Sequence, residues 1–139
     1  MRCLGLDLGT RTCGLAMSDK TNFIASPFKT LKWDGENYDL LFVELDTIIK
    51  DYGITDLVLG LPKNMNNTSG ERVERVEEFR DKLVARTGLE VILWDERLST
   101  VSAMEVLKEG GVRRENRKQY VDKLAASIIL QGYLDWINQ

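Results

Sequence analysis

Alternation of apolar and polar or small residues predicts a β-hairpin at the start of the chain. One face of a predicted strand over residues 2–8 carries three leucines, and the other carries small residues together with Asp7. A turn follows at residues 8–11, where Gly9 is free to take a positive φ angle. Residues 12–18 form the predicted return strand. Asp7 therefore lies near the end of the first strand, among small neighbours that allow other backbone to come close.

The rest of the chain alternates between strand patterns and helix patterns. Apolar residues at three-four spacing predict helices, and short runs rich in Val, Leu and Ile predict strands. Pro27 favours an edge position for its strand, and Gly53 and Gly88 mark helix ends. The predicted elements are strands at 2–8, 12–18 and 23–33, a helix at 38–52, a strand at 56–61, a helix at 71–87, a strand at 89–94, and helices at 99–109 and 119–136.

This order predicts a single α/β domain over residues 1–139. Tight turns make the first three strands antiparallel, and helical crossovers make the last two parallel, in a five-stranded mixed sheet flanked by helices. The hydrophobic content of 43% and charged content of 29% are typical of a globular protein. No apolar run is long enough to span a bilayer, so we expect a cytoplasmic protein without a membrane partner.

The residue types limit the chemistry that the chain can perform. Its 139 residues include no histidine, which excludes Ser-His-Asp triads and histidine metal sites. The two cysteines, Cys3 and Cys13, are out of register in the predicted hairpin, so we expect two free thiols. Hydrolysis would therefore depend on carboxylates, metal ions or both. The net charge of −3 means that any nucleic-acid contact would be local.

Four carboxylates are candidates for a shared site. Asp7 and the pair Asp95-Glu96 follow strands, and ligands of such sheets bind at the carboxyl ends of strands. Asp122 shares one face of the last helix with two alanines, which allow that helix to approach a sheet. Taken singly, each acid also has a structural explanation. Asp7 is equally consistent with a turn cap, the pair Asp95-Glu96 with a solvated loop, and Asp122 with a contact to the helix dipole. We favour Glu96 as the inward acid, with Asp95 as the alternative.

Carboxylates that converge repel one another unless a cation lies between them. Mg²⁺, or Mn²⁺, prefers such oxygen ligands, and two ions about 3.5–4 Å apart can support phosphodiester cleavage. We therefore expect Mg²⁺ or Mn²⁺ bound by these acids. Cations and amides near the predicted site are candidate phosphate contacts, although a solvated surface explains them equally well. They are Arg11, Lys63, Asn64, Arg113, Arg114, Arg117 and Lys118.

Four sequence blocks together resemble a known family. They are LDLGTR with GLA and SD at residues 6–19, GLPKNM at 60–65, DERLST at 95–100 and VDKLAA at 121–126. These blocks are similar to the YqgF family, also called RuvX, which is related to the RuvC resolvases. The resemblance implies a ribonuclease H-like fold and a bacterial cytoplasmic nuclease that processes the 5′ end of the 16S ribosomal RNA precursor. It also implies catalytic acids at Asp7, at the Asp95-Glu96 pair and at Asp122.

The sequence leaves several alternatives open. The same metal chemistry would serve a resolvase of Holliday junctions or other branched DNA. A non-catalytic module that binds RNA or the ribosome would keep the fold, with ribosomal particles as partners. A kinase-like phosphate site is a further alternative for residues 7–10, but it leaves Asp122 unexplained. The last helix is apolar over much of its circumference, which is compatible with a monomer or a weak dimer.

Overall fold

The computed structural model describes residues 1–61, 70–95 and 117–139, without the side chains of residues 70 and 117–120. The helix predicted at 99–109 lies outside the described residues. The described elements are β1 (Cys3–Leu8), β2 (Thr12–Ser18), β3 (Ala25–Lys32), α1 (Asp39–Tyr52), β4 (Asp56–Leu61), α2 (Gly70–Thr87), β5 (Glu90–Asp95) and α3 (Arg117–Ile137). None of these helices is long and apolar enough to cross a membrane.

The five strands form one mixed sheet in the order β3-β2-β1-β4-β5. β1 pairs antiparallel with β2, and β2 pairs antiparallel with β3. β4 runs parallel to both β1 and β5. The predicted topology is therefore confirmed. Pro27 lies in β3 at the edge of the sheet, as predicted, because a proline in a central strand would remove a ladder hydrogen bond.

Two of the three glycines expected at turns or helix ends take a positive φ angle, and the third does not. Gly53 and Gly88 take φ angles of 65° and 70° and end α1 and α2, as predicted. The prediction of a positive φ angle at Gly9 is wrong, because Gly9 is not among the positive-φ glycines of the described chain. Its N–H instead donates a 2.7 Å hydrogen bond to the carbonyl oxygen of Thr12, which closes the hairpin without a left-handed residue.

The sheet separates two hydrophobic layers of different character. On one face, leucines of β1 and β4 pack against α1 and α2 around the aromatic rings of Tyr38, Phe42 and Phe79. Phe79 is fully buried, with its ring centroid 5.4 Å from that of Phe42 and 5.2 Å from that of Tyr38. On the other face, small residues of the sheet such as Ala16 pack against α3. The bulky layer supplies most of the buried apolar volume, and the second layer brings backbone close to backbone.

We predict that Phe79→Ala lowers the free energy of unfolding by about 3–5 kcal/mol, because it opens a cavity in the aromatic cluster. Phe23→Ala is the matched control, since the Phe23 side chain is 59% exposed and its loss should change stability by no more than about 0.5 kcal/mol. Urea unfolding followed by circular dichroism measures both. Equal losses in the two variants would contradict the assignment of the core to this face.

Candidate active site

Asp7 lies one residue before the end of β1, at the carboxyl edge of the sheet. This is the end of the sheet at which the parallel strands β1, β4 and β5 all terminate. In the hairpin, Asp7 pairs with Gly14 of β2, so both residues point to the same face. Gly5, two residues earlier on β1, contacts α3 on that face. Side chains alternate along a strand. The half-buried Asp7 therefore points to the side of the sheet covered by α3.

The backbone of α3 contacts the hairpin at the Asp7 row. A Cβ atom on Gly14 would overlap the main-chain carbonyl group of Asp122 and would lie 2.9 Å from the Lys123 nitrogen, closer than real Cβ atoms approach. Only glycine at position 14 permits this contact. A Cβ on Gly5 would similarly lie 2.8 Å from Leu130 Cβ. The two glycines together form the surface on which α3 lies, and they bring Asp122 next to the cross-strand partner of Asp7.

The buried thiol of Cys13, the residue before Gly14, lies within electrostatic reach of both carboxylates. Burial raises the pKa of Cys13 most, and the negative charges of Asp7 and Asp122 raise it further. Both carboxylates therefore lie close enough to act on one sulfur atom. The Oδ2 atom of Asp122 is itself buried. Because its pKa is raised, Cys13 stays a neutral thiol near pH 7, which makes it a poor nucleophile.

Both cysteines are free, as predicted. Burial raises the pKa of Cys3 to about 11, with a further contribution from Asp56. The N–H of Cys3 donates a 2.9 Å hydrogen bond to the hydroxyl of Ser18, its neighbour across the hairpin. Neither thiol supplies a thiolate at neutral pH, so carboxylates are the candidate reactive groups at the end of β1.

Asp95 ends β5 and is exposed, but it does not share the face of Asp7. The preceding residue, Trp94, packs against α3, with its ring centroid 5.8 Å from that of Tyr133. Alternation along β5 therefore directs Asp95 to the opposite face. The next acid, Glu96, lies outside the described residues. Within residues 1–61, 70–95 and 117–139, no three cysteine or acidic side chains gather into a metal-binding group.

Arg11 is exposed in the β1–β2 turn, at the same edge as Asp7. Its side chain runs along Gly35, where an added Cβ would lie 3.5 Å from the Arg11 Nε atom. The main-chain amides of Asn37 and Glu36 hydrogen-bond to Asp34 and lower its pKa, and the charge of Arg11 lowers it further. Arg11 thus places positive charge beside the turn that follows Asp7.

The structure describes only part of the other predicted phosphate contacts. The backbone of Arg117 and Lys118 begins α3, in the turns that precede Asp122. The side chains of these two residues lie outside the described part, as do four complete residues: Lys63, Asn64, Arg113 and Arg114.

The role of Gly14 was not predicted from the sequence. The available signal was the run of small residues on one strand face, Gly14 and Ala16, opposite the Ala125-Ala126 pair of a helix. Small residues on both surfaces are typical of a close helix–sheet contact. The pattern alone does not show which glycine contacts which turn of the helix, because that depends on the position of α3 along the sheet.

Comparison with known proteins gives matches over nearly the whole chain. A family described as "RuvX: Holliday junction resolvase" matches residues 1–136. A protein of Lachnospira eligens is 49% identical over 136 residues, covering 97% of each chain. A protein of Lactococcus lactis is 49% identical over 134 residues, covering 96% of this chain and 94% of its own. Both carry the name "Putative pre-16S rRNA nuclease".

Solved structures match in fold at low sequence identity. Thermus thermophilus RuvC in complex with a Holliday junction substrate aligns with a TM-score of 0.60 at 13% identity, covering 99% of this chain and 96% of that chain. The yeast mitochondrial Holliday junction resolvase Ydc2 aligns with a TM-score of 0.58 at 13% identity, covering 96% and 78%. These likenesses confirm the predicted ribonuclease H-like fold.

We predict that Gly14→Ala lowers the free energy of unfolding by about 1–3 kcal/mol, because the new methyl group meets main-chain atoms that cannot rotate away. Gly132→Ala is the control on α3 itself. Its added Cβ would lie 2.9 Å from the Trp94 side chain, and the gain in helix propensity of about 0.8–1 kcal/mol offsets that contact. Chemical denaturation compares the two. A Gly14→Ala variant as stable as the wild type would show that α3 does not lie on this row.

Proposed function

The chain belongs to the RuvX family of nucleases, and from this premise we propose that it hydrolyses phosphodiester bonds in the precursor of 16S ribosomal RNA. The observation that carries the proposal is the contact of the Asp122 main chain with Gly14, the cross-strand partner of Asp7. This contact supports a pair of carboxylates on one face of the sheet, at its carboxyl edge. Substrates of open α/β sheets bind at that edge.

The family suggests dependence on a divalent metal ion, and the described residues fit one. Asp7 and Asp122, brought to one end of the sheet by the contact at Gly14, would provide hard oxygen ligands, and the Oδ2 atom of Asp122 is buried. We propose Mg²⁺, or Mn²⁺, as the ion, with Asp7 and Asp122 as ligands. When bound, such an ion would lower the pKa of water and stabilise charge on the phosphate.

We propose Glu96 as the third acid, with Asp95 as the alternative. The support comes from β5, where Trp94 lies on the face of Asp7 and α3. Continued alternation would return the side chain to that face at position 96. Asp95, on the opposite face, would reach the site only by a bend at the strand end. With no histidine in the chain and two neutral thiols, these acids are the groups that would orient water for hydrolysis.

We propose that seven cationic or amide residues contact phosphate groups of the substrate. Arg11 is the described member and stands in the turn that follows Asp7. Arg117 and Lys118 begin the helix that carries Asp122, so they would contact the substrate close to the acids. Four further contacts are proposed from the sequence alone: Lys63, Asn64, Arg113 and Arg114. Phosphate contacts from such residues would position the strand without reading its sequence.

Branched DNA is the second candidate substrate. The family description names a Holliday junction resolvase, and the matched RuvC structure holds such a junction. We favour RNA because the relatives named for precursor rRNA are 45–49% identical, whereas RuvC is 13% identical. An activity on precursor rRNA would operate in the bacterial cytoplasm, with ribosomal particles as partners.

The test is cleavage of labelled precursor RNA beside a labelled four-way junction, in Mg²⁺ and in excess EDTA. We predict cleavage of the RNA in Mg²⁺ alone, and its loss in Asp7→Asn and Asp122→Asn. Asp51→Asn is the control, because it removes the same charge from an exposed position at the end of α1. Full cleavage in EDTA by protein free of contaminating nuclease would overturn the metal proposal, and cleavage of the junction alone would favour the second candidate.

We also predict that Asp7→Asn raises the melting temperature of the metal-free protein while reducing its stabilisation by Mg²⁺. Two unit charges about 4 Å apart repel by about 4 kcal/mol at an effective dielectric constant of 20, and removing one charge relieves part of that repulsion. The loss of a ligand weakens stabilisation by the metal. Thermal melts with and without Mg²⁺ test this against Asp51→Asn. A mutant that melts lower in both conditions and keeps the wild-type metal response would identify Asp7 as a structural turn residue.

A further inference from the structure

The turn that follows Asp7 also forms one wall of a cleft on the other side of the sheet. The cleft has a volume of about 290 Å³. Leu8, Gly9 and Thr10 line it from the β1–β2 turn, and Glu71, Arg72 and Arg75 line it from the first turns of α2. Leu8 directly follows Asp7 in β1. The cleft therefore adjoins the proposed catalytic edge, although it opens on the face covered by α2.

Arg72 and Arg75 supply positive charge and hydrogen-bond donors to this cleft. Arg72 and Arg75 are three residues apart on α2, a spacing that places both side chains on one side of the helix. Arg72 is exposed and Arg75 is half-buried. Below them, the neighbouring Val76 is buried in the core, which fixes the orientation of this part of the helix. Guanidinium groups present planar forks of donors that match the oxygens of a phosphate.

We propose that this cleft binds a phosphate group of the nucleic-acid strand whose cleavage we assign to the Asp7 edge. The inference rests on the proposed function and adds a subsite to it. Small-molecule sites typically measure about 300–1,000 Å³, so this volume suits a phosphate with its adjoining sugar rather than a larger cofactor. The strand would pass over the β1–β2 turn, with one phosphate near Asp7 and another between Arg72 and Arg75.

Glu71 sets the strength of this subsite. Its carboxylate lines the same cleft and would oppose a bound phosphate, and it leaves one net positive charge among the charged side chains that the structure describes in the cleft. A subsite of this kind would hold the strand in register and still release it after cleavage. The presence of both signs of charge also supplies a test with two opposite outcomes, one for the arginines and one for Glu71.

The experiment measures binding of a single-stranded RNA oligonucleotide to the full chain by fluorescence anisotropy. EDTA is present so that binding is observed without cleavage. We expect Arg72→Gln/Arg75→Gln to weaken binding about tenfold, as the removal of about one charge-assisted hydrogen bond does. The slope of log affinity against log salt should fall by about 0.7 for each phosphate that the variant no longer neutralises. Glu71→Gln should strengthen binding about two- to threefold, as removal of an opposing surface charge does.

Arg80→Gln/Lys82→Gln is the matched control, because it removes the same charge from the same helix outside the cleft. Both residues form exposed ion pairs on α2, with Asp81 and Glu78 respectively. We expect this variant to bind as the wild type does. Thermal melts of every variant show that it is folded. Oligonucleotides with a 5′-phosphate and with a 5′-hydroxyl distinguish the source of the phosphate, since equal losses of affinity indicate an internal phosphate and a loss restricted to the first indicates a terminal one.

The outcomes separate this inference from the proposed function. If the wild type cleaves and binds RNA but Arg72→Gln/Arg75→Gln matches the control, the subsite is overturned and the nuclease proposal stands. A Glu71→Gln variant that binds more weakly than the wild type would also overturn the subsite. If the wild type neither binds nor cleaves RNA, the proposed function fails first. Weaker binding in the arginine variant, with the control unchanged, would support the subsite.

Discussion

The contact between the α3 backbone and Gly14 is the constraint on which the proposed site depends. Asp7 and Asp122 are more than a hundred residues apart in the sequence, and each is ordinary when taken alone. A side chain at position 14 would overlap the Asp122 carbonyl group, so the helix would have to move away from the strand pair that carries Asp7. Gly5 and Gly14 on the sheet and Ala126 on the helix bring these surfaces together. The proposed site thus depends on the small size of these residues as much as on the carboxylates.

One face of the sheet carries the bulky core, and the other carries the proposed site. The face covered by α1 and α2 carries the large buried residues, including Phe79 and its aromatic neighbours. The face covered by α3 packs small residues, and its carboxyl edge carries the proposed acids Asp7 and Asp122. Like charges near each other cost free energy in the absence of a cation. The bulky core on the opposite face stabilises the fold while this edge retains that charge.

The sequence predicted the elements well where a single local rule decided them. β2 and β4 have the predicted bounds, because alternation and a short apolar run each end at clear polar residues. Gly53 and Gly88 ended their helices as expected, whereas Gly9 did not take the expected left-handed conformation. A hairpin turn can close through a hydrogen bond such as Gly9 to Thr12 without it, and residue type alone does not choose between these closures. The candidate site was harder to predict from the sequence. The contact of α3 with Gly14 and the cleft lined by Arg72 and Arg75 both depend on tertiary packing.

Diffraction from crystals grown with Mn²⁺ would show whether Asp7 and Asp122 bind one ion, because anomalous scattering locates the ion independently of the protein atoms. We expect an anomalous peak on the α3 face of the sheet at the carboxyl edge of β1. The ion should lie at about 2.0–2.2 Å from carboxylate oxygens of both Asp7 and Asp122, close to the distance that Mg²⁺ takes to such ligands. A Mn²⁺ ion bound elsewhere, or bound by Asp7 with Asp122 directed away from it, would contradict the account.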